Sequence, residues 1–117
     1  MKIVLFIGDI ENYIKLQPCL KGCNFTYCSP QISGCAGQET LTDKIDRVIQ
    51  TYGKPNLVIF EKSNKEAIFR LRHENKTLPI FLMEREFRHS VTQKYTKRGI
   101  HFPLNLNEIK EQMHHYL

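Results

Sequence analysis

Three stretches of the chain are apolar almost without interruption: Ile3–Ile7 (IVLFI), Leu57–Phe60 (LVIF) and Leu78–Met83 (LPIFLM). Runs of four to six apolar residues bounded by turn-forming residues fit strands that are covered on both faces, as in a parallel sheet. Pro79 is tolerable only near the start of its strand, because it cannot donate to a ladder. Two weaker segments, Asn24–Cys28 (NFTYC), which alternates, and Ile100–Phe102 (IHF), which is mixed, read as strands with one side less covered, and therefore as edges.

Between these runs the apolar residues recur at helical spacing. Ile10, Tyr13, Ile14 and Leu20 define a first helix with Asp9 as its N-cap, shortened or kinked just before Pro18. Leu41, Ile45, Val48, Ile49 and Tyr52 define a second, stopped by Gly53 and Pro55, after a turn-rich loop over 29–39. Ser63 and Glu66 form a capping box that opens a third, with Ala67, Ile68 and Leu71 facing inward. Phe87, Val91 and Tyr95 mark a fourth that ends at Gly99. Asn105 and Glu108 repeat the capping pattern before Leu106, Ile109, Met113 and Tyr116, the stripe of a fifth.

Five strands alternating with five helices predict a doubly wound parallel sheet in three α/β/α layers. With the wholly apolar strands central and right-handed crossovers, the strand order is 2-1-3-4-5, the flavodoxin-like arrangement. In such sheets ligands and reactive groups sit beyond the carboxyl ends of the strands, which directs attention to Asp9 after the first run and Glu61 after the second.

Composition adds bounds. The 117 residues, 41% hydrophobic and 25% charged, suit one globular domain over 1–117 with a core large enough to fold without disulfides. The longest apolar run is far below the roughly 20 residues of a membrane span, and a cytoplasmic location is expected. The net charge of +5 is concentrated: residues 62–98 hold ten Lys and Arg against four Glu, a surplus of six. That segment is either a pair of solvated helix faces or a docking surface for an acidic partner or nucleic acid.

The four cysteines, Cys19, Cys23, Cys28 and Cys35, lack the paired C-x₂-C spacing of common zinc sites. Independent thiols are expected, with a redox-responsive pair such as Cys28 and Cys35, or a metal site, as alternatives. No nucleotide-binding glycine pattern occurs, and the five histidines form no recognisable constellation.

Along nearly its whole length the chain resembles the receiver domains of two-component response regulators: KIVLFIGD matches their first strand and acidic pair, PNLVIFE the third strand and phosphoacceptor, LPIFLME the fourth strand and hydroxyl residue, and the proline of HFPLNLNEI their lysine-proline turn. Carried over position by position, the acidic pair is Gly8 and Asp9, the phosphoacceptor is Glu61, the hydroxyl position is Glu84 beside Arg85, and Phe102 stands for the lysine before Pro103. Only Asp9 keeps the family residue. The resemblance therefore implies a degenerate, or pseudo-, receiver that signals through protein contacts without aspartyl phosphorylation, and no cofactor or metal is expected.

Asp9, Glu61 and Glu84 should converge and raise the pKa of at least one carboxyl. Arg88, Lys94 and Arg98, with apolar area from Tyr95, are the expected docking residues for an acidic protein or a second copy of the chain; nucleic acid is disfavoured by the lack of a helix-turn-helix or RNA-binding pattern. The alternative readings are a small flavodoxin-like enzyme, or a thiol phosphocarrier of the phosphotransferase type. In the latter, the nucleophilic cysteine follows the first strand directly, where this chain has Gly8 and Asp9.

Overall fold

A computed structural model describes residues 2–30, 40–62, 64–83, 89–103 and 105–117, with the backbone alone for 89–92. Five strands, β1 (Ile3–Ile7), β2 (Asn24–Cys28), β3 (Leu57–Phe60), β4 (Ile80–Leu82) and β5 (Ile100–His101), form one sheet in the order β2-β1-β3-β4-β5. All neighbouring pairs are parallel. The flavodoxin-like order expected from the apolar runs is therefore the one observed, and its switch point lies between β1 and β3.

Among the described residues five helices cover the sheet: α1 (Ile10–Leu16), α2 (Leu41–Tyr52), α3 (Lys65–Glu74), α4 (His89–Thr96) and α5 (Leu106–Met113). Alternate strand residues point to opposite sides, so the core divides in two. Leu5, Ile7, Val58, Phe60, Ile80 and Leu82 pack against α2, α3 and α4. Val4, Phe6, Leu57, Ile59 and Phe81 pack against α1 and α5. All four residues of β3 are at 0% exposure, which accounts for its lack of a polar position. No helix among the described residues is long and apolar enough to cross a membrane.

The helix ends follow from local chemistry. Thr40 and Asp43 exchange side-chain and backbone hydrogen bonds in a reciprocal capping box at the start of α2, and Gly53, at φ +104°, ends that helix. Asn105 caps α5 by accepting from the Glu108 amide at 2.9 Å. The capping box expected at Ser63 gives way to a cap one residue later: Asn64 Oδ1 accepts from the Ala67 amide at 3.0 Å, and α3 begins at Lys65. Ser63 itself lies outside the described residues.

The first helix is short, as Pro18 led one to expect: it runs seven residues before Gln17–Leu20 tightens into a 3-10 turn, with Pro18 in that turn's first positions, where its missing amide costs nothing. Its inward face departs in part from expectation. Ile10 and Ile14, expected to face the core, are 48% and 55% exposed. Tyr13 and Leu20 turn inward as expected, and Leu16 joins them. Tyr13 packs on Phe25, with ring centroids 4.5 Å apart, and its hydroxyl donates to the Phe25 carbonyl of β2 at 2.7 Å.

Candidate functional site

The carboxyl ends of β1 and β3 lie side by side because Ile7 pairs with Phe60, and the ladder extends one step further as the Glu61 amide donates to the Ile7 carbonyl at 2.9 Å. That bond fixes Glu61 next to Gly8 and Asp9. Asp9 is the N-cap of α1, yet its side chain makes no capping bond; its backbone carbonyl accepts from the amides of Asn12 and Tyr13 at 3.1 and 3.2 Å. The carboxylate is left to face Glu61.

Glu61 is half-buried and held from two directions. The Asn12 side-chain amide, one helical turn beyond Asp9 and on the same face, donates to Glu61 Oε1. The Asp9 carboxyl and backbone amide both reach the same group. Burial pushes the Glu61 carboxyl above its ordinary value of 4.5; the neighbouring Asp9 charge adds to the rise, and the Asn12 bond opposes it. One carboxyl is raised, as expected, but burial is the larger cause and the Asp9 charge the smaller, and Glu84, the third carboxyl expected here, lies outside the described residues.

Gly8 is required by this arrangement. It is buried, and a Cβ placed on it would lie 2.5 Å from the Glu61 Cβ and 3.0 Å from Phe6 Cε1. No real Cβ approaches another atom so closely, so the position adjacent to Asp9 cannot carry a second carboxylate while Glu61 stays where it is. The Gly8 carbonyl is taken by the Tyr27 hydroxyl at 2.6 Å, which ties β2 to the same corner.

Two adjoining clefts open over this corner. One, of about 380 Å³, is lined by Gly8, Asp9, Ile10, Glu11, Tyr27, Ser29 and Pro30. The other, of about 270 Å³, is lined by Ile7, Gly8, Asp9, Pro30, Leu41, Glu61, Lys62 and Asn64. Among the described residues no group of three His, Cys, Asp or Glu side chains is arranged to hold a metal ion.

Of the other expected pocket residues, Glu84 lies outside the described residues. Phe102 is half-buried against the α2/α3/α4 side of the core, its ring centroid 6.0 Å from that of Tyr95, and Pro103 is buried. An aromatic side chain packed in that way supplies no charge to the corner.

The expected docking residues separate. Lys94 is exposed on α4, Arg98 is exposed just beyond it, and Arg88 lies outside the described residues. Tyr95 is corrected: it is 2% exposed, packed between Phe69 and Phe102, and contributes to the core and not to the surface. Arg98 lies over the ring of Phe69 from α3, 4.2 Å from its centroid. Among the described residues no disulfide forms: Cys19 is exposed, Cys23 half-buried and Cys28 buried, while Cys35 is outside them.

Asn12 and Tyr27 are site residues that the sequence reading did not assign; Gly8 was placed there only as the counterpart of a lost acidic residue, without its contact with Glu61. Asn12 could have been found, since a polar residue three positions after an N-cap lies on the same helix face as the cap. Tyr27 could not, because its hydroxyl reaches across from an edge strand. Compared with protein-family models the chain matches none, and no curated protein matches it. The class of molecule that fold and corner define is a flavodoxin-like α/β protein with a carboxyl pair at the β1/β3 switch point.

Proposed function

We propose that the chain is a phosphorylation-independent interaction domain, of the kind expected from a degenerate receiver. It would act in the cytoplasm through a protein partner with an acidic surface or through a second copy of itself. The observation that carries this reading is the packing of Glu61 against Gly8. In-line attack on a phosphoryl group needs a carboxylate placed to well under an ångström. Here the carboxylate extends one methylene further than an aspartate, is bonded by Asn12, and faces the Asp9 carboxyl with no room for another acid at position 8. Phe102, packed in the core, offers no cation to offset transferred charge.

What remains is a rigid fold whose surface can be recognised, with its cationic segment as the region that fits an acidic partner. Incubation with acetyl phosphate and Mg²⁺, followed by intact-mass measurement, tests the reading. The expected result is no added phosphoryl group. A stoichiometric gain that disappears in Glu61→Ala overturns it.

A further inference from the structure

The charges of α3 are sorted onto two sides. Glu66, Arg70 and Glu74 follow one another at four-residue spacing, and Arg70 donates to Glu74 at 3.1 Å and pairs with Asp46 of α2 at 2.9 Å. On the side of α3 towards α2, Arg70 is thus paired within the molecule, among Glu66, Glu74 and Asp46. The other side carries Lys65, Phe69 and His73 at the same spacing, and it meets α4 through the Phe69–Tyr95 ring contact at 5.2 Å.

Cations surround Phe69. Arg98 covers its ring at 4.2 Å and Lys65 stands 5.8 Å from its centroid. Lys94 is exposed on α4, four residues before Arg98, which follows the helix end, and Lys97 is exposed next to Arg98 in the chain. Arg72 is half-buried below, its guanidinium bonded to the carbonyls of Asn75, Lys76 and Gly99 and, among the described residues, to no carboxylate, which ties the end of α3 to the start of β5. Among the described residues, Lys65, Lys94, Lys97 and Arg98 have no acidic partner.

From this placement we infer that the α3/α4 surface around Phe69 binds a short carboxylate-rich protein segment, with an apolar side chain seated beside Phe69 and carboxylates on Lys65, Lys94, Lys97 and Arg98. Charge complementarity selects the anion, and two features select protein over nucleic acid. The Phe69 ring is already covered by Arg98, so it is not free to stack a base. A ten-residue α3 spans only about 15 Å, enough for a turn or two of a peptide but a short track for a duplex backbone. Arg98, planar and held in place by the ring, presents its fork to a carboxylate with little ordering left to lose.

This inference rests on the interaction-domain reading, but its test is separate, since phosphorylation at Glu61 does not enter it. Fluorescence anisotropy with a labelled dodecapeptide of repeating Glu-Glu-Leu should show saturable binding that weakens as salt rises. The pair Lys94→Glu with Lys97→Glu should weaken it at least tenfold, and Arg98→Lys, which keeps the charge but not the fork, by a few-fold. Lys110→Glu on α5 should leave it unchanged. Circular dichroism and thermal midpoints confirm that each variant is folded, and Lys94→Ala with Lys97→Ala, expected to weaken binding less, replaces the charge reversal should that fail to fold. Absence of binding, equal binding of a twelve-base-pair DNA duplex, or equal loss in Lys110→Glu overturns the inference.

Discussion

The interior of β3 and its carboxyl end lie one residue apart and obey different rules. Leu57–Phe60 is sealed on both faces by hydrocarbon, where close packing decides everything. At Glu61 the same strand delivers a carboxyl against another carboxyl, and the site holds together because a glycine stands opposite and an asparagine reaches over. Stability in the strand depends on filling space; at its end it depends on leaving one position empty.

Substitutions can test how sharp that boundary is. The largest effect should come from Phe60→Ala, which removes a fully buried ring from the core beneath α2 and α3 and should cost about 3–5 kcal/mol in chemical denaturation. A loss under about 1 kcal/mol would mean that the interior is less tightly packed than the strand's burial indicates.

Gly8→Ala should cost about 1–3 kcal/mol, because the new methyl meets the Glu61 Cβ and Phe6. The cost should fall by more than half when measured in a Glu61→Gly background, where the facing Cβ is gone. Equal costs in the two backgrounds would place the strain at Phe6 alone.

The smallest effect concerns charge. Glu61 has a folded-state pKa raised above 4.5, so the native state holds that proton more tightly than the unfolded chain does. Its contribution is neutral below 4.5, turns unfavourable as pH rises from there through the raised value, and is fully unfavourable at pH 7. Glu61→Gln keeps the acceptor for Asn12 and removes the charge. It should be more stable than the parent at pH 7 by about 0.3 kcal/mol, a small figure because water screens a half-exposed group, and the gain should vanish near pH 4. A gain that persists unchanged at pH 4 would exclude titration of Glu61 as its source.

How legible each part was in the sequence follows the same boundary. The central strands and their order could be read because a strand buried on both sides leaves no polar position, α2 because it has a clear apolar stripe and a Gly-Pro stop, and α5 because it has a stripe and a cap. The face of α1 could be read only in part: Tyr13 and Leu20 were placed inward correctly, Ile10 and Ile14 were not. Over seven residues the spacings of Ile10 and Ile14 and of Tyr13 and Leu16 are equally helical, and the aromatic cluster with Phe6, Phe25 and Tyr27 decided between them. Tyr95 had two conflicting assignments, an inward stripe and a surface contact, and the spacing argument was the sound one. In the candidate site, Asp9 and Glu61 were identified from the strand ends they follow. The closeness of Gly8 to Glu61 was not, because sequence spacing carries no information about which side chain fills the space above a glycine in a neighbouring strand.

The bond from the Tyr13 hydroxyl to the Phe25 carbonyl has a consequence for how copies of the protein meet in concentrated solution. Asn24 donates its amide to Lys2, so the alternation along β2 turns the backbone groups of Asn24, Thr26 and Cys28 towards β1 and those of Phe25 and Tyr27 outward. An open strand border of this kind is a template on which another chain can add and start a fibril. Tyr13 occupies the Phe25 acceptor from within the same molecule, so a recruit to this border would find one bond fewer.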